Sequence, residues 1–351
     1  MIEKKEKEVA IKTAMDSLNK KYGAGSVLKM SEENAIEIET IPTNCWSLDW
    51  ALAAGGLPRG RIIELYGPEG GGKTSLAMYF ISQLQKQGKK ALLVDVEFCF
   101  SKEYAEKLGV NTKELILSQP STGEEALEIV DEMIRSNAID IIVIDSVASI
   151  VPKAELEGEI GKDSIALQAR LMSKALRILT GSISRTKTIV VFINQLRQRV
   201  GIYWGPKEIT PGGRSLKFYA SIRIEVKNIK KIKGDNEEII GNVMGIFITK
   251  NKTGMPWRSC ELNLIYGEGV DAISDLFNVA VKNDIISKNA NTYTHGDIKL
   301  GAGKNSAIKF LKNTPEISKK IKDELNKKEN IINDVKQKDM ENDEETEKLD
   351  N

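Results

Sequence analysis

Histidine is almost missing from this chain. One residue, His295, stands among 351. That excludes a histidine-based zinc site and leaves little for a His-dependent catalytic triad. Cysteine is nearly as scarce. Cys45, Cys99 and Cys260 lie far apart with no C-x-x-C pair, which argues against a disulfide framework or a zinc knuckle. There is no excess of either charge. The net value is +1, so any nucleic-acid surface must be a local patch rather than a global property. No apolar run reaches the roughly 20 residues that a membrane span needs. The start, Met1-Ile2-Glu3-Lys4-Lys5-Glu6-Lys7, has no apolar signal core. A soluble protein of a reducing cytoplasm, with no membrane partner, is expected. His295 lies in the polar stretch Asn291-Thr292-Tyr293-Thr294-His295-Gly296-Asp297, which predicts a solvated turn residue.

What is present points to an α/β fold. Hydrophobic residues make up 41% of the chain, enough for one large domain with smaller appendages. Residues 1–33 read as a charged amphipathic helix with apolar Val9, Ile11, Ala14, Met15 and Leu18, then a turn at Gly23 and Gly25. A lone helix cannot bury its stripe, so it should pack on the core or on another subunit. Residues 34–270 alternate strands and helices. The β-branched runs 90–96, 139–144 and 188–193 have buried-strand length, and the alternation implies a mainly parallel sheet covered on both faces. Residues 271–330 form a smaller Lys- and Asn-rich α/β unit. Residues 331–351 are acidic, with the composition of a disordered tail.

The most specific string is Gly67-Pro68-Glu69-Gly70-Gly71-Gly72-Lys73-Thr74. It fits G-x-x-x-x-G-K-[ST], the loop that cradles nucleotide phosphates. Its glycines let backbone N–H groups approach phosphate oxygens. Lys73 brings a fixed charge to the β/γ-phosphates, and the Thr74 hydroxyl suits Mg²⁺. Apolar residues 61–66 lead in as a strand. Ser75 and the apolar residues after it continue as a helix, whose N-terminal dipole favours anions. A Gly-rich turn without a ligand would not require the terminal Gly-Lys-Thr.

Two further strand ends carry acids. Ile141-Ile142-Val143-Ile144-Asp145 ends in a carboxylate placed to help hold Mg²⁺, the Walker B arrangement. Glu97 follows strand 92–96, two residues after Asp95 and on the same strand face. Its apolar neighbours Phe98, Cys99 and Phe100 predict a buried carboxylate, suited to activating water. The other reading is a strand-end acid capping the next turn. Gln195 ends strand 190–193 as Asn194-Gln195, where an amide can sense a γ-phosphate. After it, residues 196–207 and 210–214 mix Arg197, Arg199, Val200, Tyr203, Trp204, Gly212 and Gly213 without any clear period. Such loops suit single-stranded nucleic acid, with cations on phosphates and aromatics on bases. A second Gly-bearing loop, 157–165, includes Gly158 and Ile165 and precedes a helix with Arg170.

In this order the motifs resemble the bacterial RecA recombinase family over residues 10–325. The likeness is carried by Ala54-Gly55-Gly56-Leu57-Pro58-Arg59-Gly60-Arg61, residues 67–74, Leu117-Ser118-Gln119-Pro120-Ser121-Thr122-Gly123-Glu124, Val143-Ile144-Asp145-Ser146, Phe192-Ile193-Asn194-Gln195, Gly212-Gly213-Arg214-Ser215 and Tyr266-Gly267-Glu268-Gly269. The resemblance implies a RecA-type P-loop NTPase core with an N-terminal helical segment and a small C-terminal α/β domain. It implies a DNA-dependent ATPase that uses ATP and Mg²⁺, filaments on single-stranded DNA and exchanges strands with a duplex. A role toward the SOS repressor is implied by the family alone. Glu97 resembles the catalytic glutamate and Gln195 the nucleotide sensor. Tyr104 and Tyr266 resemble the adenine-side residues. Lys250 and Lys252 resemble the pair that reaches the neighbouring subunit's ATP, and Phe218 an interface residue. Residues 157–165 and 196–210 resemble the DNA loops, with Val200 the wedge between base triplets. Lys288 and Lys304 match lysines that guide duplex DNA.

The departures are local. Gly70-Gly71 replaces a serine pair, which should loosen the phosphate cradle. Ser101 stands where relatives carry a carboxylate toward adenine. Three rivals remain at this level: a hexameric helicase, a RadA-like repair ATPase, and a DNA-coating filament protein with impaired hydrolysis.

Overall fold

The computed structural model describes residues 2–23, 25–29, 38–158, 165–198, 208–234 and 236–328. The chain forms two units, Met1–Glu39 and Thr40–Asn351. In the first, helix Ile2–Tyr22 leaves Val9 and Ile11 exposed. It stops where Gly23 takes a positive φ of 103°. The Asn19 side chain then closes the turn, donating to Val27 O at 3.0 Å and accepting from Val27 N at 2.9 Å.

The second unit is built on a nine-stranded sheet. Its parallel part runs in the order Ile222–Lys233, Ile62–Gly67, Ile189–Gln195, Ile141–Asp145, Ala91–Asp95, Ile116–Ser118. Strands Ile239–Asn251, Ser259–Ile265 and Gly269–Val270 extend one edge antiparallel. The runs read from sequence as buried strands, Ala91–Asp95, Ile141–Asp145 and Ile189–Gln195, are neighbours in this sheet, and their apolar residues are buried on both faces. Helix Lys73–Gln85 is buried on nearly every side, including Leu76, Phe80 and Leu84. It packs into one core cluster with Leu65, Leu93 and Val191. Truncating Phe80 to Ala there would cost about 3–5 kcal/mol. The opposite face packs on helices Gly123–Arg135 and Ile165–Thr186 through Val130, Leu176 and Phe192.

The smaller sheet orders Ser287–Asn289, Thr292–His295 and Ile298–Ala302 against helices Ala272–Lys282, Lys304–Asn313 and 315–328. Phe277 meets Tyr293 edge-on, with centroids 5.0 Å apart. One acid fixes this layer to the larger nine-stranded layer. The Asp275 carboxylate accepts from Ser47 N at 3.1 Å and from Ser47 Oγ, so it caps helix Trp46–Ala51. His295 is not the solvated turn residue its neighbours suggest. It is a buried strand residue whose Nε2 meets Glu324 Oε1 and Oε2 at 3.1 Å. Strand alternation turns it inward while the polar residues around it face out. The acidic stretch 331–351 lies outside the described residues.

Candidate nucleotide site and its neighbours

The parallel strands all end on one side, and their carboxyl-end residues meet in a cavity of about 380 Å³. The sequence of the loop explains its shape. Gly67 and Gly72 hold φ of 155° and 93°, which L side chains avoid. A Cβ on Gly71 would stand 2.7 Å from Val226 O. The loop therefore lies flat on the neighbouring strand. Helix Lys73–Gln85 then begins with no side-chain cap and no acid in its first turn, an end suited to an anion.

Residues 69–75 of the loop line this cavity together with Glu97, Tyr104, Asp145, Gln195 and Tyr266. Lys73 is buried, and its Nζ donates to Gly67 O at 3.1 Å and Pro68 O at 2.8 Å. Burial lowers its pKa, while Asp145 and Glu97 act in the other direction. Thr74 Oγ1 donates to Asp145 Oδ2 at 2.8 Å. Burial drives the Asp145 carboxyl up to about 6, the Thr74 bond opposes this, and the nearby Glu97 and Asp95 add to it. A hydroxyl and a carboxylate converging beside a flat Gly-rich loop fit a divalent cation and a polyphosphate. Ser75 Oγ and Tyr104 OH share a bond of 2.7 Å, which holds the tyrosine ring at the cavity. Ser101 caps helix Lys102–Lys107 by accepting from Tyr104 N at 3.3 Å. At this position it supports Tyr104 from behind.

Glu97 is held differently from the sequence expectation. The strand ends at Asp95, so the two acids do not share a strand face. Asp95 is buried and turns back to accept from Glu97 N at 3.2 Å, Phe100 N at 2.9 Å and Gln119 Nε2 at 2.9 Å. Phe98 is 61% exposed and Cys99 is exposed, so neither covers Glu97, which is half-buried. Polar groups hold it instead. Ser146 Oγ, Ser149 Oγ and Gln195 Nε2 all donate to Glu97 Oε1, at 2.5, 3.2 and 3.3 Å.

Several of these partners carry no signal in sequence. Gln168, on helix Ile165–Thr186, donates to Val147 O at 2.8 Å and Ile150 O at 2.9 Å, and accepts from Gly212 N at 3.3 Å. It thus clamps the Ser146–Ser149 stretch to the Gly212 turn. Gly212 and Gly213 hold φ of 80° and 78°. A Cβ on them would meet Val147 at 2.7 Å and Ala169 at 2.9 Å. Only the position of Gln168, three residues after Ile165, hints at contact with both loops.

The remaining expected residues lie elsewhere. Lys250 Nζ donates to Lys217 O at 2.5 Å and Phe218 O at 3.0 Å, and Lys252 Nζ to Phe218 O at 3.1 Å. Burial, then Lys252 and Arg223, lower the Lys250 pKa. Neither lysine lines the cavity, and Phe218 is 69% exposed. Gly158, Arg170 and Arg197 are exposed, and Ile165 opens its helix. Arg199, Val200 and Trp204 lie outside the described residues. Lys288 is exposed with its Nζ 5.8 Å from the Tyr293 ring, and Lys304 opens helix Lys304–Asn313. Among the described residues no helix is long and apolar enough to cross a membrane, and no group of three or more His, Cys, Asp or Glu side chains is gathered as a metal site.

Comparison with known proteins identifies a family for the chain. The RecA N-terminal domain model matches residues 9–271 and the RecA C-terminal domain model residues 274–330. Protein RecA of Clostridium tetani is 47% identical over 324 residues, covering 92% of each chain. Protein RecA of Zymomonas mobilis is 47% identical over 316 residues, covering 90% of this chain and 89% of that one. Protein RecA of Bacillus subtilis is 45% identical over 320 residues, covering 91% and 92%. The chain belongs to the RecA family of recombinases, DNA-dependent nucleotide-binding ATPases of DNA recombination and repair.

Proposed function

We propose that the nucleotide is ATP, bound by residues 67–75 with Tyr104 and Tyr266 beside the base, and hydrolysed with Glu97 as general base. The observation that carries this reading is the convergence of Ser146, Ser149 and Gln195 on Glu97 Oε1. It fixes the carboxylate at the end of the sheet where the P-loop and Asp145 also end. All three bonds fall on one oxygen, which leaves the other to take a proton from water. Lys73 sets positive charge against the phosphates. Thr74 and Asp145 would hold Mg²⁺, which when bound supplies further charge against the phosphate oxygens.

Residues 157–165 and 196–210, with Gly212 and Gly213, are the proposed contacts to single-stranded DNA, with Arg197, Arg199, Val200 and Trp204 in the second loop. Lys288 and Lys304 are the proposed guides for duplex DNA, in a C-terminal unit of residues 271–330. Copies join head to tail as a filament, a heterologous contact that does not close, with Phe218 at the join. Lys250 and Lys252 then act on the neighbour's nucleotide. The SOS repressor is a further partner on family grounds alone. The intact setting of Glu97 favours hydrolysis over a purely coating role.

Steady-state ATP hydrolysis, with and without single-stranded DNA, tests the reading. Turnover that rises on adding DNA is expected. Nucleotide binding without turnover in either condition would return the coating role. Electron micrographs of the ATP-bound protein on DNA should show open filaments, and closed rings would favour the helicase reading.

A further inference from the structure

Glu64 is a charged residue in an apolar strand. It belongs to Ile62–Gly67, which leads into the P-loop, and it is fully buried at 0% exposure. Desolvating a carboxylate is costly, and an apolar side chain of similar volume often serves a core better. Its two oxygens serve different elements. Oε1 accepts from Asn194 Nδ2 at 3.1 Å, and the same Nδ2 donates to Pro211 O at 3.1 Å. Oε2 accepts from Arg223 Nε at 2.6 Å. The Arg223 guanidinium stacks 4.3 Å from the Tyr66 ring, and Tyr66 OH meets Thr249 Oγ1 at 2.8 Å. Glu64, Arg223 and Lys250 are register partners on three successive strands.

We propose that Glu64 is a positioning residue that ties the return of the second DNA loop, at Pro211, to the strand carrying Lys250. One end of the chain of contacts is the carbonyl from which the Gly212-Gly213 turn departs. The other is a row of cations: Arg223, Lys250 and Lys252. Asn194 divides one amide between Pro211 and Glu64, so a shift of the loop changes the hold on Glu64. Glu64 sets the Arg223 fork, and Arg223 lies directly across the sheet from Lys250. Besides this register contact, the Arg223 charge disfavours the protonated Lys250 amine and the Glu64 carboxylate favours it. Asn194 adjoins Gln195, so the same strand end reaches Glu97 within the protomer and Lys250 toward the next one.

The inference rests on the reading in which 196–210 with Gly212 and Gly213 binds DNA and Lys250 serves a neighbouring nucleotide. The test uses Glu64→Gln, Arg223→Lys and the double variant in the full chain. The amide introduced by Glu64→Gln would present one acceptor oxygen to two donors. Lysine in place of Arg223 keeps the charge but loses the planar fork and the stack. Each variant should bind single-stranded DNA as the parent does and keep DNA-free turnover, yet lose stimulation by DNA about tenfold. The double variant should lose no more than either alone, because both cut one chain of contacts. A merely structural role predicts additive loss that follows stability, and that result overturns the proposal. So does full stimulation in Glu64→Gln. Should Glu64→Gln fail to fold, Arg223→Lys decides alone, and its retained stimulation overturns the relay. A parent protein that DNA does not stimulate overturns the underlying reading and the relay with it. A stimulated parent with stimulated variants overturns the relay only.

Discussion

Gln195 Nε2 donates to Glu97 Oε1 at 3.3 Å, across the end of the strand that carries Asp145. The residue from which the proposed second DNA loop departs therefore touches the candidate base directly. Glu97→Gln should preserve nucleotide binding and lower hydrolysis by about 10²–10⁴-fold, since an amide takes no proton. Phosphate release and fluorescent-nucleotide binding measure the two effects separately. Parent-like turnover in the variant would remove Glu97 from the base role.

Lys73 is the cation of the loop, resting on two of the loop's own carbonyls. Lys73→Ala should reduce turnover by at least about 10²-fold, the scale of losing one preorganised charge-stabilising group. Retention of normal turnover would show that the phosphates lie elsewhere.

Asp145 predicts a pH dependence. Burial lifts its carboxyl to about 6 in the fold, above an unfolded value of about 3.9. The folded state therefore takes up this proton first. This group's contribution to stability grows as pH falls through 6 toward 4 and is unfavourable above 6. Metal-assisted nucleotide binding should run the other way, weakening below about pH 6 as the carboxylate is lost. Asp145→Asn should flatten both profiles. Nucleotide titrations with and without Mg²⁺, beside urea midpoints across this range, provide the check. An unchanged pH profile in the variant would assign the titration to another group.

Lys250→Ala should impair hydrolysis in the assembled filament and leave isolated protomers nearly unaffected. Arginine-finger cations contribute about 10³–10⁵ in rate, and a lysine pair should contribute less. Turnover against protein concentration, with and without DNA, separates the two states. Equal loss in both would contradict action on a neighbour.

Arg197 and Arg199 should contact DNA phosphates. Replacing both with Ala should flatten the salt dependence of single-stranded DNA binding, by about 0.7 in log–log slope per lost contact. Trp204→Ala should weaken binding at nearly constant slope, because stacking is not ionic and contributes roughly 1–3 kcal/mol per base. Anisotropy across a salt series distinguishes these outcomes. An unchanged slope in the double Arg variant would make the loop an ordinary solvated surface.

Local patterns are legible in the sequence. The P-loop, the buried strands and Asp145 announce themselves because glycine conformation and strand periodicity act over a few neighbouring residues. Glu97 is legible too, but its surroundings are not. Phe98 and Cys99 turn outward, and the hold comes from serines about fifty positions away. Gln168 and Glu64 stay hidden for the same reason, since their partners meet only after the sheet has formed. His295 shows the opposite error, where polar neighbours conceal an inward-facing strand position.

The exposed Cys99 has a practical consequence. Its Sγ donates to Glu97 O at 3.2 Å, on the segment that bends away from Asp95. Cys45 is fully buried, and burial holds its thiol well above the ordinary range. Burial lifts the Cys260 thiol to about 12. A maleimide dye at neutral pH should therefore mark one position in the native chain, two residues from Glu97. Its emission would report nucleotide arrival and departure without any engineered label.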